Sequence, residues 1–323
     1  MSILVILEQR NGVWNRTSFE TLNAATKAAA ELHIPVIAAV LGEGMDDLIR
    51  ELPSQNVARL IAVEHPLLAR YTADAYTSAA EQLIRSVSPV FVLFPHTYQV
   101  RDFAPKLAAR FGECLISDTV EIRVEGDEMV AVRQLFQGKL HADIRAKKGA
   151  FVSVQAGAFR PAEPAHTSVP VEKFEVELTA EQIRSRPSEP FRESQRSVDL
   201  SSADLIVSVG RGIKEKDNLP IIEELAQALG AEIAASRPIC DNGWLPMERQ
   251  VGSSGQTVAP KLYLAVGISG AIQHLVGMKG ARTIVAINKD ENAPIFEIAD
   301  YGAVGDLFEI VPALTDELKK GKV

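Results

Sequence analysis

The sequence has few cysteines and no long apolar run. Its 323 residues include two cysteines, Cys114 and Cys240, and neither belongs to a CxxC or other metal-ligand spacing. This excludes a disulfide-dense scaffold and predicts no metal centre and a reducing compartment. No apolar run approaches the roughly 20 residues that a membrane-spanning helix needs, so no membrane insertion is expected.

Positive charge is also scarce. Lys and Arg total 34 against 42 Asp and Glu, which gives a formal net charge of -8. Nucleic-acid binding depends on Lys and Arg that neutralise phosphates, so this balance argues against a nucleic-acid partner. The chain opens on the strand-like run ILVILEQ without a basic or Arg-rich presequence, and we expect a cytoplasmic protein.

What the sequence has in quantity is alternation between apolar runs and helix-patterned segments. Over about the first 113 residues, runs such as ILVILEQ, PVIAAVLG and PVFVLFPH alternate with segments such as SFETLNAATKAAAELH. Continuous apolar strands between helices predict a parallel sheet that is covered on both faces. From Cys114 to Arg160 the runs are β-rich with little helical periodicity, and we expect an antiparallel extension of the same domain.

A segment rich in charge, Ser and Pro follows from Val169 to Asp204. We interpret it as a linker and place the domain boundary near Arg192, which divides the chain into residues 1–191 and 192–323. The second part resumes the alternation with LIVSVGRGI, NLPIIEELAQALG, AEIAAS, KLYLAVGI and TIVAIN. The predicted fold is therefore α/β with two domains, each a parallel-sheet layer fold, and the C-terminal one Rossmann-like.

The stretch VGISGAIQH in the second domain is the first candidate site. Gly267 and Gly270 lie at a strand-to-helix junction, where a helix N-terminus favours phosphate if no side chain blocks its approach. Ser269 either caps the helix or donates to a phosphate. His274 is either an ordinary core or surface histidine, or an N–H donor or cation beside an electron-accepting ring. A tight turn capped by serine remains the alternative for the whole junction.

Two further stretches of the second domain carry candidate residues. SVGRGI places Arg211 between two glycines at the end of an apolar strand, where its guanidinium suits a pyrophosphate, although a plain turn explains the incomplete motif equally well. The long segment 237–255 is expected to have a function because compact domains rarely carry such loops. Its Ser253 and Ser254 either serve a flexible turn or reach ring nitrogens or phosphates.

The residues of these stretches resemble the α subunit of the electron transfer flavoproteins. The matching stretches are GRG, AASRP, GWLPMERQVGSSGQTVAPKLYLAVGISGAIQHLVGM and TIVAINKDENAPIFEIADYGAVGDLFEIVPALT, and they cover nearly all of residues 205–315. VRDFAPKLAARFG and LISD in the first half match more loosely. The resemblance implies one FAD in the C-terminal domain and an electron carrier rather than a stand-alone enzyme. It also implies a heterodimer with a β subunit, dehydrogenases as donors and an acceptor oxidoreductase.

The resemblance also implies the residues that bind FAD. They are Arg211, Ser236, Arg237, Val251, Gly252, Ser253, Ser254, Ser269, Gly270, Ala271, Ile272, Gln273, His274, Asn288, Asp306 and Leu307. Arg237 is implied over the flavin, Asn288 toward the adenosine end, and Asp306 with Leu307 near the ribose. Where many members of the family have Gln or Thr, this sequence has Ser253 and Ser254. We hypothesise that Arg237 and His274 together stabilise the one-electron-reduced, anionic cofactor.

Two other functions remain open from the residues alone. A nicotinamide-dependent oxidoreductase would use the same kind of scaffold, but GRG lacks the full GxGxxG spacing and no acidic residue clearly stands where a ribose needs it. A non-redox nucleotide-binding subunit would hold AMP in the pocket or leave it empty. The colour of the purified protein separates these from a flavoprotein.

Overall fold

The computed structural model describes residues 1–50, 57–136, 138–161, 169–188, 200 and 203–320. The chain forms two compact units, Met1–Pro190 and Phe191–Val323. The boundary expected near Arg192 lies outside the described residues, and the division at 191/192 stays a prediction. Each unit has its own predominantly parallel sheet covered by helices, so the predicted α/β layer fold is confirmed.

The first unit is built on a nine-stranded sheet and a small hairpin. Its elements are β1 (Ile3–Leu7), β2 (Gln9–Arg10), β3 (Val13–Trp14), α1 (Arg16–Leu32), β4 (Val36–Gly42), α2 (Asp46–Arg50), β5 (Arg59–Glu64), α3 (Ala73–Val87), β6 (Phe91–Pro95), α4 (Tyr98–Phe111), β7 (Leu115–Glu125), β8 (Glu128–Leu135), β9 (Leu140–Ala146), β10 (Phe151–Val154) and β11 (Val171–Glu175). The sheet order is β11-β5-β4-β1-β6-β10-β7-β8-β9.

Alternation along the central strand explains why this sheet carries helices on both faces. Every residue of β1 is buried, and its odd-numbered side chains share a core with α1, whereas its even-numbered ones share a core with α3 and α4. A strand buried on both faces reads as a continuous apolar run, which is how ILVIL appears in the sequence. Asn15, Thr72 and Thr97 cap α1, α3 and α4 respectively, because their side chains accept a bond from a first-turn N–H.

Two expectations for the first unit are wrong. Strand β10, expected in the antiparallel extension, lies between β6 and β7 and pairs in parallel with both. Strand β11, expected as linker, pairs in parallel with β5 at the edge of the sheet. The exposed charged residues of β11 interrupt the apolar pattern by which a strand is recognised in a sequence. Charged side chains suit an edge strand because they discourage pairing with a further strand. Glu172 of β11 forms an ion pair with Arg59. Only β7–β8 and β8–β9 form the expected antiparallel pairs.

The second unit is a five-stranded, all-parallel sheet. Its elements are β12 (Leu205–Val209), α5 (Pro220–Leu229), β13 (Glu232–Ala235), α6 (Arg237–Asp241), β14 (Leu262–Val266), α7 (Ile272–Met278), β15 (Ile284–Asn288), β16 (Tyr301–Val304) and α8 (Leu307–Lys320). The order β13-β12-β14-β15-β16 reverses direction between β12 and β14. In open α/β sheets, ligands bind at the carboxyl ends of the strands beside such a reversal.

Among the helices that the structure describes, none is both long and apolar enough to cross a lipid bilayer.

Candidate functional site

The carboxyl ends of β12 and β14 meet at the reversal of the second sheet. The Gly212 N–H donates to the Gly267 carbonyl over 3.0 Å. A Cβ on Gly210 would lie 2.3 Å from the Gly267 oxygen, and one on Gly267 would lie 2.8 Å from the Gly212 Cα. Gly267 also has a φ of +64°, which favours glycine. The turn that carries Arg211 and the turn that precedes α7 therefore pack backbone against backbone.

Gly270, in the turn that follows β14, also packs closely against neighbouring backbone. Its φ is +87°, and a Cβ there would lie 2.3 Å from the Ile295 nitrogen. Ile295 donates its N–H to the Ser269 carbonyl, and Asn288 donates its side-chain amide to the Ile268 carbonyl. The sequence predicts that these glycines clear the approach of a phosphate. The structure gives another reason for them, because the neighbouring backbone occupies the space that a side chain would need.

Helix α7 begins at Ile272 with Ala271 at its N-cap position and no side-chain cap. The expectation that Ser269 caps this helix is therefore wrong. The side chains of Ser269, Ile272 and Gln273 are exposed at this edge of the sheet. The Ser269 hydroxyl is consequently free of any helix-capping role, which leaves its second expected role, a contact to phosphate, as a prediction.

His274 is almost fully buried on α7, with 6% of its surface exposed. Its Nε2 lies 2.9 Å from the Tyr263 hydroxyl, and its Nδ1 is buried without a well-formed hydrogen bond. Desolvation lowers the pKa of His274 to about 4, although the Val251 backbone acts in the opposite direction. The ring is therefore neutral at pH 7. Of the two alternatives for His274, a cation or a neutral N–H donor, burial favours the neutral donor.

The segment after β13 brings Ser236 and Arg237 to the same edge. Ser236 donates its N–H to the Val209 carbonyl at the end of β12 and occupies the N-cap position of α6. The Arg237 side chain is 67% exposed, and its Nε lies 3.2 Å from an Asp241 carboxylate oxygen. Exposed pairs of this kind contribute little to stability. The long segment expected to be irregular thus contains α6 and a short turn of 3-10 helix at Met247–Arg249.

The loop that contains Val251 to Ser254 lies against α7. The Val251 N–H donates to the Ala235 carbonyl, and the Ser253 N–H donates to the Gln273 carbonyl over 2.7 Å. Gly252 has a φ of +142°, and a Cβ there would lie 2.7 Å from the Gln273 oxygen. Glycine is therefore required where the loop touches the helix that carries His274.

Two polar side chains of this loop face each other beside that contact. The Gln250 amide donates to the Ser254 hydroxyl over 2.9 Å, and the side chains of Ser253 and Ser254 are exposed. The side-chain amide oxygen of Gln250, Oε1, is buried without a partner. The loop therefore has exposed hydroxyl groups on Ser253 and Ser254 and a buried, unpartnered acceptor on Gln250.

The last expected residues lie where α8 begins. The Asp306 carboxylate accepts a bond from the Phe308 N–H over 2.9 Å, and Leu307 is buried. A Cβ on Gly267 would come within 3.0 Å of the Leu307 side chain. All of the residues expected at the cofactor thus lie at the carboxyl edge of one sheet or on segments packed against it.

Sequence reasoning missed three buried polar residues behind this edge. Tyr263 and Ser208 are fully buried on β14 and β12, and Gln250 is 1% exposed. The signal available for the first two was a single polar group inside an otherwise apolar strand, LYLAV and LIVSV. Such a group needs a partner when it is buried.

The residues at this edge fit a bound nucleotide cofactor. They include exposed Arg211 and Arg237, exposed serine hydroxyls, and two unpartnered buried polar atoms, His274 Nδ1 and Gln250 Oε1. Within the described part of the chain, no cluster of His, Cys, Asp and Glu suits a metal ion. A ligand that combines anionic groups with a polar ring suits this set of donors better than a metal ion does.

Comparison with known proteins supports this interpretation. Residues 3–179 match the electron transfer flavoprotein domain, and residues 199–279 match the electron transfer flavoprotein FAD-binding domain. The electron transfer flavoprotein subunit alpha of Thermoanaerobacterium thermosaccharolyticum is 40% identical over 99% of this chain and 98% of its own length. That of Bacillus subtilis is 38% identical over 98% and 97% respectively.

A third relative bears a different name. The acryloyl-CoA reductase electron transfer subunit beta of Anaerotignum propionicum is 34% identical over 99% of this chain and 96% of its own length. The FAD-binding match covers β12 to α7, the elements whose ends form the candidate site. FAD is therefore the cofactor of the second unit, and this chain belongs to the electron transfer flavoprotein family.

Proposed function

We propose that this chain is the FAD-binding subunit of a two-subunit electron carrier and is not a stand-alone enzyme. The similarity along almost the whole length of electron transfer flavoprotein alpha subunits is the observation that carries the proposal. The partner would be a β subunit, the donors dehydrogenases and the acceptor another oxidoreductase. The relative named as a subunit of acryloyl-CoA reductase supports a carrier that works with a second protein.

Within the second unit, the residues proposed to bind FAD are those of the carboxyl edge described above. When bound, FAD supplies the electron-accepting chemistry, and the protein supplies position and electrostatics. Arg211 is exposed at the end of β12, where a guanidinium can pair with a diphosphate through several N–H groups. Ser269 and Asn288 offer polar groups at the ends of the neighbouring strands.

The groups proposed to face the flavin ring differ in kind. Arg237 is an exposed cation whose only partner among the described residues is Asp241, so its side chain is free to reorient. His274 is a buried neutral donor, and Ser254 is an exposed hydroxyl. Apolar side chains below them, among them Val251 and Met278, keep water out of the base of the site.

The first experiment is to express the chain together with the reading frame beside its gene and to identify the released cofactor by mass. We expect one FAD per copy of this chain and absorbance near 450 nm. A colourless protein that contains AMP or no nucleotide would refute the flavoprotein assignment. A protein that binds NADH but no flavin would support the nicotinamide alternative.

The proposed role of Arg211 has its own test. Loss of a hydrogen bond to a charged group costs about 1.5–3 kcal/mol, so Arg211→Ala is expected to raise the Kd for FAD about 10- to 100-fold. The matched control is Arg282→Ala, because Arg282 is also exposed but lies at the opposite end of the sheet, just before β15. Equal FAD affinity in both variants would show that Arg211 does not contact the cofactor.

A further inference from the structure

Tyr263 lies behind the proposed cofactor site and is hydrogen-bonded to His274. It is fully buried on β14, and its phenol oxygen lies 2.9 Å from His274 Nε2. The two rings are 6.1 Å apart, centre to centre, at an angle of 59°. Both partners are shielded from water, so this hydrogen bond has little competition from solvent.

Either the phenol O–H donates to a bare Nε2, or an Nε2–H donates to the phenol oxygen. Burial keeps the imidazole neutral, so only one of its nitrogens carries a proton. Among the described residues, the buried phenol forms one hydrogen bond, to Nε2, and Nδ1 forms none. If Nε2 held the proton, the phenol O–H and a bare Nδ1 would both be buried without a partner. A proton on Nδ1 leaves one such group instead of two, so the geometry favours Nδ1–H and a bare Nε2.

Ser208 is the other buried polar side chain near the phenol. It is fully buried on the neighbouring strand, and its hydroxyl forms no hydrogen bond among the described residues. The acceptor that lies at hydrogen-bond distance from the phenol is therefore His274 Nε2.

We propose that Tyr263 is a positioning residue that holds His274 as the neutral tautomer with its proton on Nδ1. The N–H on Nδ1 is thereby left for a partner other than Tyr263. The consequence for the cofactor rests on the proposed function: a fixed N–H beside FAD favours the more electron-rich, reduced cofactor, whereas a bare nitrogen disfavours it.

The tautomer is read directly by NMR of the full chain, purified with its cofactor and partner and labelled with ¹⁵N in histidine. The sequence contains six histidines, and the signals lost in His274→Gln identify the ring of interest. Long-range proton–nitrogen correlations tell which nitrogen carries the proton. We expect Nδ1–H in the wild-type protein; an Nε2–H tautomer would overturn the proposal without any variant.

Tyr263→Phe removes the donor and keeps the ring. We expect His274 to lose its fixed Nδ1–H tautomer, with signals of the Nε2–H form appearing. The matched control is Tyr301→Phe, because Tyr301 is 68% exposed on β16. An unchanged Nδ1–H tautomer in folded Tyr263→Phe would overturn the proposal. Should that variant fail to fold, an Nε2–H tautomer in the wild-type spectrum would still overturn the proposal.

The midpoint potential of the bound FAD separates this proposal from the proposed function. We expect a lower potential in Tyr263→Phe and no change in Tyr301→Phe. A changed tautomer with an unchanged potential would uphold the role of Tyr263 and reject the placement of His274 beside the flavin.

Discussion

A buried carboxyl group in the first unit is expected to make the stability of that unit depend on pH. Glu20 on α1 is 1% exposed and accepts a hydrogen bond from the Gly157 N–H over 2.6 Å. The Arg16 Nε lies 3.5 Å from its other oxygen. Burial raises the pKa of Glu20 from 4.5 to about 7, although both neighbours oppose the rise. The protonated form is therefore favoured in the folded protein.

The size of the effect follows from the difference in pKa. At 1.36 kcal/mol per pKa unit, a rise from 4.5 to about 7 corresponds to about 3 kcal/mol. Because the folded protein holds this proton more tightly than the unfolded chain does, the stabilisation is complete below about pH 4.5. It is lost as the pH rises through about 7. Glu20→Gln imitates the protonated acid at every pH, so it should escape this loss.

The assay is urea unfolding followed by tryptophan fluorescence. The sequence has two tryptophans, Trp14 in the first unit and Trp244 in the second, so Trp244→Phe gives a background that reports on the first unit alone. We expect Glu20→Gln to be up to about 3 kcal/mol more stable than its parent at pH 8, with the gap closing toward pH 5. Glu31→Gln, an exposed change on the same helix, is the control. A gap that does not vary with pH would refute the reasoning.

Two other predictions concern stability. Asp74→Asn should lower the melting temperature of the first unit at pH 7, with the loss shrinking below pH 4. Ion pairs with Arg184 and Lys106 hold the pKa of Asp74 below its usual range, so its stabilisation is present at neutral pH and lost in acid; a loss that persists unchanged at pH 2.5 would contradict this. Gly270→Ala should destabilise the second unit by at least about 1 kcal/mol, because of its positive φ and the nearby Ile295 nitrogen. An unchanged urea midpoint of the second unit, followed through Trp244 in a Trp14→Phe background, would show that this turn tolerates a side chain.

The sequence was sufficient to predict the parallel core of both units but not every neighbour within it. Strands such as β1 and β6 are apolar along their whole length, and this local pattern predicts burial on both faces. Pairing is not a local property. Phe151 of β10 pairs with Val92 of β6, and Val171 of β11 pairs with Leu60 of β5, so only the folded chain shows that both strands extend the parallel sheet.

The sequence was sufficient to propose the residues of the candidate site, but not to explain why glycine stands at several of them. Glycine is needed both where a ligand approaches the backbone and where another turn does, and the sequence does not separate these cases. At Gly210, Gly267 and Gly270 the neighbouring backbone lies within 2.8 Å of a Cβ position, so the fold alone already requires glycine. The presence of these glycines is therefore weaker evidence for a phosphate than the sequence alone indicated, and their place at the cofactor stays a prediction.

The charge of His274 in the proposed site could not be predicted from the sequence, for a physical reason. The charge of a histidine depends on its burial, and His274 is buried against Tyr263, which reads in the sequence as one more apolar strand residue. Of the two residues expected to stabilise an anionic cofactor, Arg237 is exposed and His274 is a buried neutral donor. An exposed charge is screened by salt over a distance of about 8 Å at 0.15 M, whereas a buried N–H is not. In the proposed site the two residues would therefore act on the cofactor by separable means, one sensitive to ionic strength and the other fixed by the fold.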